Sequence, residues 1–388
     1  MAETYSTLAA LFTDIADAIR EKTGETDSII ADDFPDMIRE RLQAAPPPAY
    51  LTFSSPNSFT LAVNDATKHW DGTLEYSTDK NTWTVWDGTT TLSSAASGGE
   101  NVLYLRGTGN TKIGYLDADI TLDYIPWVIN GTDVRCDGNI EALLDYATVE
   151  AGQHPTMAED CFIGLFMGCT ALITPPALPA TTLATYCYAY MFSGCTGLTQ
   201  APTLPATTLV SDCYNSMFQG CTSLTQAPAL PATTLASECY SNMFNGCTSL
   251  TQAPTLPATT MEANCYQSMF ENCTSLTQAP SLPATTLASL CYNHMFHGCS
   301  ALTRAPALPA TTLKLYCYAY MFDGCTKIKL STTQTGEYTV AYRIPTEGSG
   351  TTATNALYNM FTNTGGTLKG TLSINITYYL SNTNTVVY

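Results

Sequence analysis

Four side chains in the C-terminal half have the donor types of a zinc site: Cys291, His294, His297 and Cys299. Thiolate sulfur and imidazole nitrogen are the usual ligands of a tetrahedral structural zinc. Both cysteines, however, recur in the neighbouring repeats, where the histidines are absent, and their spacing of eight fits no common zinc pattern. Asp117 and Asp119 stand two apart, which on a strand points both carboxyls to one face, as a paired-carboxylate hydrolase requires. The regular repeats carry Asp212, Glu238, Glu262, Glu271 and Asp323, each at a variable position and none in a repeated pair. There is no phosphate loop, no Gly-x-Ser-x-Gly and no His-Glu-x-x-His. The sequence therefore predicts no catalytic residue, no metal ligand and no cofactor.

The elements that would have to position any such chemistry are repeats. One unit, Cys213 to Glu238, reads CYNSMFQGCTSLTQAPALPATTLASE, and its neighbours keep the frame without insertion. Cys169, Cys195, Cys221, Cys247, Cys273, Cys299 and Cys325 form one ladder of period 26; Cys161, Cys187, Cys213, Cys239, Cys265, Cys291 and Cys317 form a second. A fixed period in this range means a solenoid, in which each coil needs only its neighbours. With Cys136 the count is 15. No basic, apolar leader precedes the chain, so the thiols are expected to stay reduced and to pack as small buried hydrophobes.

Within each unit, LTQAPxLPATTL has leucine at both ends and proline inside, which demands extended, bent backbone. The segment CYNSMFQGC reads as about two helical or 3₁₀ turns with Cys213, Met217 and Phe218 on one face. Gly168, Gly194, Gly220, Gly246, Gly298 and Gly324 close it, and Asn272 stands in the one exception; both residue types enter positive φ cheaply. Tyr188, Tyr214, Tyr240, Tyr266, Tyr292 and Tyr318 should stack as a ladder, at about the 4.8 Å spacing of paired strands.

Two rows of polar residues could face a partner. The variable pairs after the tyrosine give Tyr190, Asn215, Ser216, Ser241, Asn242, Gln267, Ser268, Asn293, His294 and Tyr320. The uniform row gives Gln200, Gln226, Gln252 and Gln278, with Arg304 breaking the glutamines. Variation over a constant core fits either drift on a solvated face or a recognition surface.

The remaining segments divide the 388 residues further. Residues 1–45 hold two short amphipathic helices, which cannot bury a core alone and call for self-association, a trimer among the options, or docking. Pro46, Pro47 and Pro48 form a spacer. Residues 49–126 alternate apolar and polar residues between turn signals, as in a small Ig-like β-sandwich. Trp70, Trp83 and Trp86 there are either core or stacking platforms for a glycan. Residues 127–160 read as the N-terminal cap, 161–330 as the solenoid and 331–388 as the C-terminal cap, with Met360-Phe361 keeping the repeat's pair and Thr364 in the cysteine position. The fold class is mainly β with short helices. With 15 basic against 33 acidic residues, the net charge of −18 argues against nucleic acid or an anionic membrane as partner.

Met217-Phe218, Cys221-Thr222-Ser223-Leu224-Thr225 and Pro228 resemble the BspA-like leucine-rich repeat. The unit departs from that family in its length and in the extra Ala-Thr-Thr-Leu. The resemblance implies a leucine-rich-repeat solenoid and a role in cell-surface adhesion. The stretch Leu11 to Gly24, LFTDIADAIREKTG, followed by Asp33-Phe34-Pro35-Asp36-Met37-Ile38, resembles the opening of tail-associated proteins of phages and prophages of Gram-positive bacteria. That resemblance implies attachment to other virion tail proteins through residues 1–45 and assembly in the host cytoplasm without a signal peptide. The expected function is a non-enzymatic tail adhesin that binds a host cell-surface glycan or protein. A structural spacer of the virion, or a bacterial surface adhesin, is the alternative.

Overall fold

The computed structural model describes residues 49–114, 116–117, 123–124 and 126–388. The two helices expected in residues 1–45, the proline spacer and Asp119 lie outside the described residues. The described residues are mainly β with very little helix. The N-terminal strands are β1 (Leu51–Ser55), β2 (Thr60–Val63), β3 (Thr73–Ser77), β4 (Thr84–Trp86), β5 (Leu92–Ser93), β6 (Ala95–Ser97) and β7 (Glu100–Thr108). They are followed by β8 (Leu116–Asp117), β9 (Asp123–Tyr124), β10 (Trp127–Asn130) and β11 (Val134–Asp137). A single 3₁₀ turn (Ile140–Leu143) and α1 (Tyr146–Glu150) lead into the repeats.

Two antiparallel sheets form from these strands. In one, β1 lies between β7 and β11, with Phe53 opposite Leu103 and Cys136, and β3 and β4 continue it. In the other, β2 lies between β10 and β5, with Leu61 opposite Ile129. Alternation along the strands sends Leu51, Phe53, Leu61, Val63, Leu103 and Leu105 into one shared core. The boundary expected at residue 126 is displaced: β10 and β11, assigned from sequence to a cap, complete the two sheets. The sheet then runs on into the repeats, because β11 pairs in parallel with β12 (Leu172–Thr174) of the first coil. Trp127 bridges the two cores, with ring centroids 5.5 Å from Trp86 and 5.9 Å from Phe166.

The repeats are not helical. Each CYNSMFQGC segment is a chain of overlapping β-turns with left-handed residues every fourth position. Asp212, Ser216 and Gly220 have φ of 57°, 52° and 72°, and the pattern recurs at Glu238, Asn242 and Gly246 and at Asn264, Ser268 and Asn272. The hydrogen bonds alternate accordingly. Asn215, Met217, Gln219 and Cys221 donate N–H three residues back within the coil, to Asp212, Tyr214, Ser216 and Phe218. Asp212, Tyr214, Ser216, Phe218 and Gly220 donate to the next coil, at Ser237, Cys239, Ser241, Met243 and Asn245, over 2.7–3.1 Å. A positive φ at the third residue of a turn is what a type II turn demands. It also frees alternate N–H groups to point along the stack. An α-helix would spend them internally, which is why the helical expectation fails.

Stacking therefore rests on turns rather than strands. The proline segments contribute only isolated bridges, such as Thr208 to Thr234 and Thr260 to Thr286, because proline has no N–H to donate. Successive Tyr188, Tyr214, Tyr240, Tyr266, Tyr292 and Tyr318 rings lie 5.7–5.9 Å apart and nearly parallel. A second ladder runs through Phe166, Phe192, Phe218, Phe244, Phe270, Phe296 and Phe322 at 5.7–5.8 Å. Both exceed the strand spacing expected from sequence, consistent with coils joined by turns.

An eighth turn segment follows the seven legible ones. Tyr318, Tyr320, Phe322 and Gly324 donate to Ala356, Tyr358, Met360 and Thr362, and Asn355, Asn359 and Asn363 occupy its three left-handed positions. The chain between Cys325 and Asn355 carries β14 (Leu330–Ser331) and β15 (Tyr338–Arg343), and β16 (Thr377–Ser381), which follows the eighth segment, lies between them in one sheet. Finally β13 (Arg304–Pro306), in the sixth coil, pairs in parallel with the last strand, β17 (Thr385–Val387). The proline side of the stack is thus closed by β11 at one end and by β17 at the other.

Candidate functional site

The variable pairs do not form an outer face. Asn215, Ser216, Ser241, Ser268 and Asn293 are buried, and Tyr190, Asn242, Gln267, His294 and Tyr320 are half-buried. The second residue of each pair is one of the left-handed turn positions: Tyr190, Ser216, Asn242, Ser268, His294 and Tyr320 have φ of 51–56°. Their side chains serve the turns. Asn215 Nδ2 donates to Asp212 Oδ1 at 2.9 Å and Ser216 Oγ to Asn215 Oδ1 at 2.8 Å. Asn242 Nδ2 donates to Ser241 Oγ at 3.0 Å, and Asn293 Nδ2 to the Ala319 carbonyl at 3.2 Å. His294 stacks on Tyr320 at 4.5 Å, and partial burial lowers its pKa below the usual histidine value.

The uniform row does face solvent. Gln200, Gln226, Gln252 and Arg304 are exposed and Gln278 is half-buried. Arg304 reaches back to Gln278 and donates from Nε to Thr385 Oγ1 at 2.9 Å, tying the end of the row to the last strand. Beside the row lies a groove of about 560 Å³ lined by Pro254, Leu256, Pro257, Pro280, Pro283 and Val387. A smaller one of about 250 Å³ lies on the preceding coils among Pro202, Pro205, Pro228 and Pro231. Glutamine amides beside rigid proline walls offer donors and acceptors next to apolar surface that does not have to be ordered on binding.

A third row was missed from sequence. Gln219, Asn245, Glu271, His297 and Asp323 occupy one position of successive coils, and from Asn245 to Asp323 their side chains contact one another along the stack. Asn245 Nδ2 donates to Glu271 Oε2 at 3.5 Å, while His297 lies 3.0 Å from Glu271 and 3.6 Å from Asp323. His297 is thus engaged by carboxylates. Cys299 is buried and donates its S–H to the Phe270 carbonyl at 3.0 Å. Among the described residues no three His, Cys, Asp or Glu side chains are grouped to hold a metal.

All fifteen cysteines are buried and free. The ladder beginning at Cys169 has a hydrogen-bonding task invisible in the sequence. Cys195, Cys221, Cys247, Cys273, Cys299 and Cys325 donate S–H to the phenylalanine carbonyl of the preceding coil at 2.9–3.1 Å. Each of these carbonyls also accepts the in-coil N–H, as Phe218 does from Cys221 at 3.1 Å. Burial pushes every one of these thiols up, Cys169, Cys187, Cys239 and Cys247 to about 12.

Of the three tryptophans that could stack on a glycan, Trp70 and Trp86 are core residues. Trp83 is half-buried, and its face carries the Arg106 guanidinium at 4.1 Å. Arg106 also lies 4.2 Å from the Tyr146 ring and donates to Glu75 Oε2 at 2.8 Å. Asp117 lies in β8, paired through the backbone with β9.

Residues 164–303 match the model of the BspA type leucine rich repeat region, in six copies. The array is therefore built of BspA type repeats, which point to a surface or adhesion-type repeat protein. No curated protein and no solved structure matches the chain. Among the described residues no helix is long and apolar enough to cross a membrane.

Proposed function

We propose that this chain is a non-enzymatic, tail-associated adhesin of a phage or prophage, which contacts the host bacterial surface through its repeat solenoid. The observation that carries the contact is the solvent-facing row Gln200, Gln226, Gln252, Gln278 and Arg304 beside its proline-walled groove. That surface repeats with the coil, so a ligand that itself repeats, such as a cell-surface glycan, meets the same amide many times over, and weak contacts sum. The BspA type repeats support the adhesion half of the reading. The virion half rests on the resemblance of Leu11 to Gly24 to tail-associated proteins, with residues 1–45 as the attachment and oligomerisation element. Mass spectrometry of purified virions from an induced host carrying the gene tests it. The chain should appear at a stoichiometry fixed relative to the tail proteins. Its absence from virions, with the protein found on the cell wall instead, would favour a bacterial surface adhesin. Release of reducing sugar from host wall or capsule by the purified chain would overturn the non-enzymatic assignment.

A further inference from the structure

Where the sandwich meets the first coil there is a cavity of about 320 Å³. It is lined by Glu141, His154, Thr156, Met157, Thr181 and Leu183, among others. Glu141 is 1% exposed, an unusual place for a carboxylate in a chain with so few charges. Its backbone is fixed by the 3₁₀ turn, whose cap Asn139 accepts the Glu141 N–H at 2.9 Å. One carboxylate oxygen is served: Oε2 lies 2.7 Å from His154 Nδ1 and 3.4 Å from Asn139 Nδ2. The other, Oε1, is buried with no hydrogen-bond partner among the described residues. Leaving a buried carboxyl oxygen without a donor costs the fold the desolvation of that group. It persists where surrounding structure fixes it, and such groups concentrate at ligand sites.

We propose that this cavity binds a small ligand bearing a primary ammonium group, with the ammonium on Glu141 and its carbon skeleton against Met157 and Leu183. An ammonium brings three donors and a positive charge to a carboxylate with one oxygen unserved. The Thr156, Thr181 and Thr182 hydroxyls at the cavity suit the hydroxyls of an amino sugar, whereas Met157, Leu183 and Pro155 suit an alkyl stem such as that of lysine. The volume lies at the lower end of small-molecule pockets. The site is independent of the glutamine row and of the virion assignment.

The test uses the full chain with its methionine methyl groups ¹³C-labelled, so that Met157 reports from the cavity wall. D-glucosamine and n-pentylamine are titrated in, with N-acetyl-D-glucosamine and 1-pentanol as their neutral counterparts. A saturable shift of the Met157 methyl with either amine, and none with its neutral counterpart, is expected. Saturation by glucosamine alone identifies an amino sugar, and by pentylamine alone an alkyl ammonium. Glu141→Gln should weaken binding about tenfold or more, the size expected for loss of a charge-assisted hydrogen bond. The methionines of the ladder, such as Met217 and Met243, show whether the variant is folded. Thr181→Trp, at an exposed rim position, should block the cavity without touching the carboxylate. Equal shifts with the neutral compounds, unchanged affinity in Glu141→Gln, or no saturable shift with either amine would overturn the assignment.

Discussion

Raising the pH should unfold this protein abruptly, and the thiols set the midpoint. All fifteen cysteines are buried and each has its thiol pKa raised from 9.0 by desolvation. The unfolded chain therefore loses these protons first. The stabilisation is complete below the unfolded value and drains away as pH rises through and beyond it. For one thiol the loss is on the order of 1 kcal/mol within a pH unit of the unfolded value. Fifteen acting in the same direction reach on the order of 10 kcal/mol, the size of the total stability of ordinary proteins. The tyrosine ladder acts in the same direction, since burial raises Tyr188, Tyr214, Tyr240, Tyr266, Tyr292 and Tyr318 as well. Under reducing conditions, near-ultraviolet circular dichroism and tyrosinate absorbance should change together in one steep step between about pH 9 and 10.5. Gradual ionisation of tyrosine with dichroism intact to pH 11 would refute the reasoning.

Three further outcomes follow from the packing. In denaturant without reductant, thiol titration should count 15 groups per chain, and in the native state at pH 8 almost none should react within minutes. Gly197 stands where other repeats have Ser223, Ser249 and Ser275, yet a Cβ there would lie 2.3 Å from the Thr170 carbonyl oxygen. Gly197→Ser, although it restores the repeat's own residue, should destabilise by about 2 kcal/mol in chemical denaturation. Cys247→Ala removes both buried volume and the S–H donor to Phe218, and should cost about 1–3 kcal/mol by the same measurement.

The period of 26 made the core legible before any coordinates. Cys213, Tyr214, Met217, Phe218 and Leu224 are all buried, and their equivalents stack as the repetition implies. The conformation of the turn segment was less legible. Its signal is a left-handed position every four residues, carried plainly by Asp212, Ser216 and Gly220 or by Asn264, Ser268 and Asn272, residue types that tolerate positive φ. Tyr186, Tyr190, Leu290, Tyr316 and Tyr320 hold the same φ and hide the pattern, because stacking and inter-coil hydrogen bonds override their preference. For the same reason the variable pairs were mistaken for a surface: in a helix half of them would face outward, whereas in a chain of turns they fold back on the backbone. The eighth segment was legible only in part: Met360-Phe361 and Thr364 hold repeat positions, but the chain inserted between Cys325 and Asn355 breaks the count. Asn355, Asn359 and Asn363 fill its left-handed positions more favourably than most of the regular repeats. Glu141 carries no sequence signal, since only burial distinguishes it from any other glutamate.

The central claim is that the exposed glutamine row makes the contact with the host surface. Labelled full-length chain and a Gln226→Ala, Gln252→Ala, Gln278→Ala variant of unchanged thermal stability should be compared for binding to Gram-positive host cells. The account predicts binding by the parent chain and at least about a tenfold loss in the variant, three amide contacts being removed at once. Equal binding by the two would contradict it.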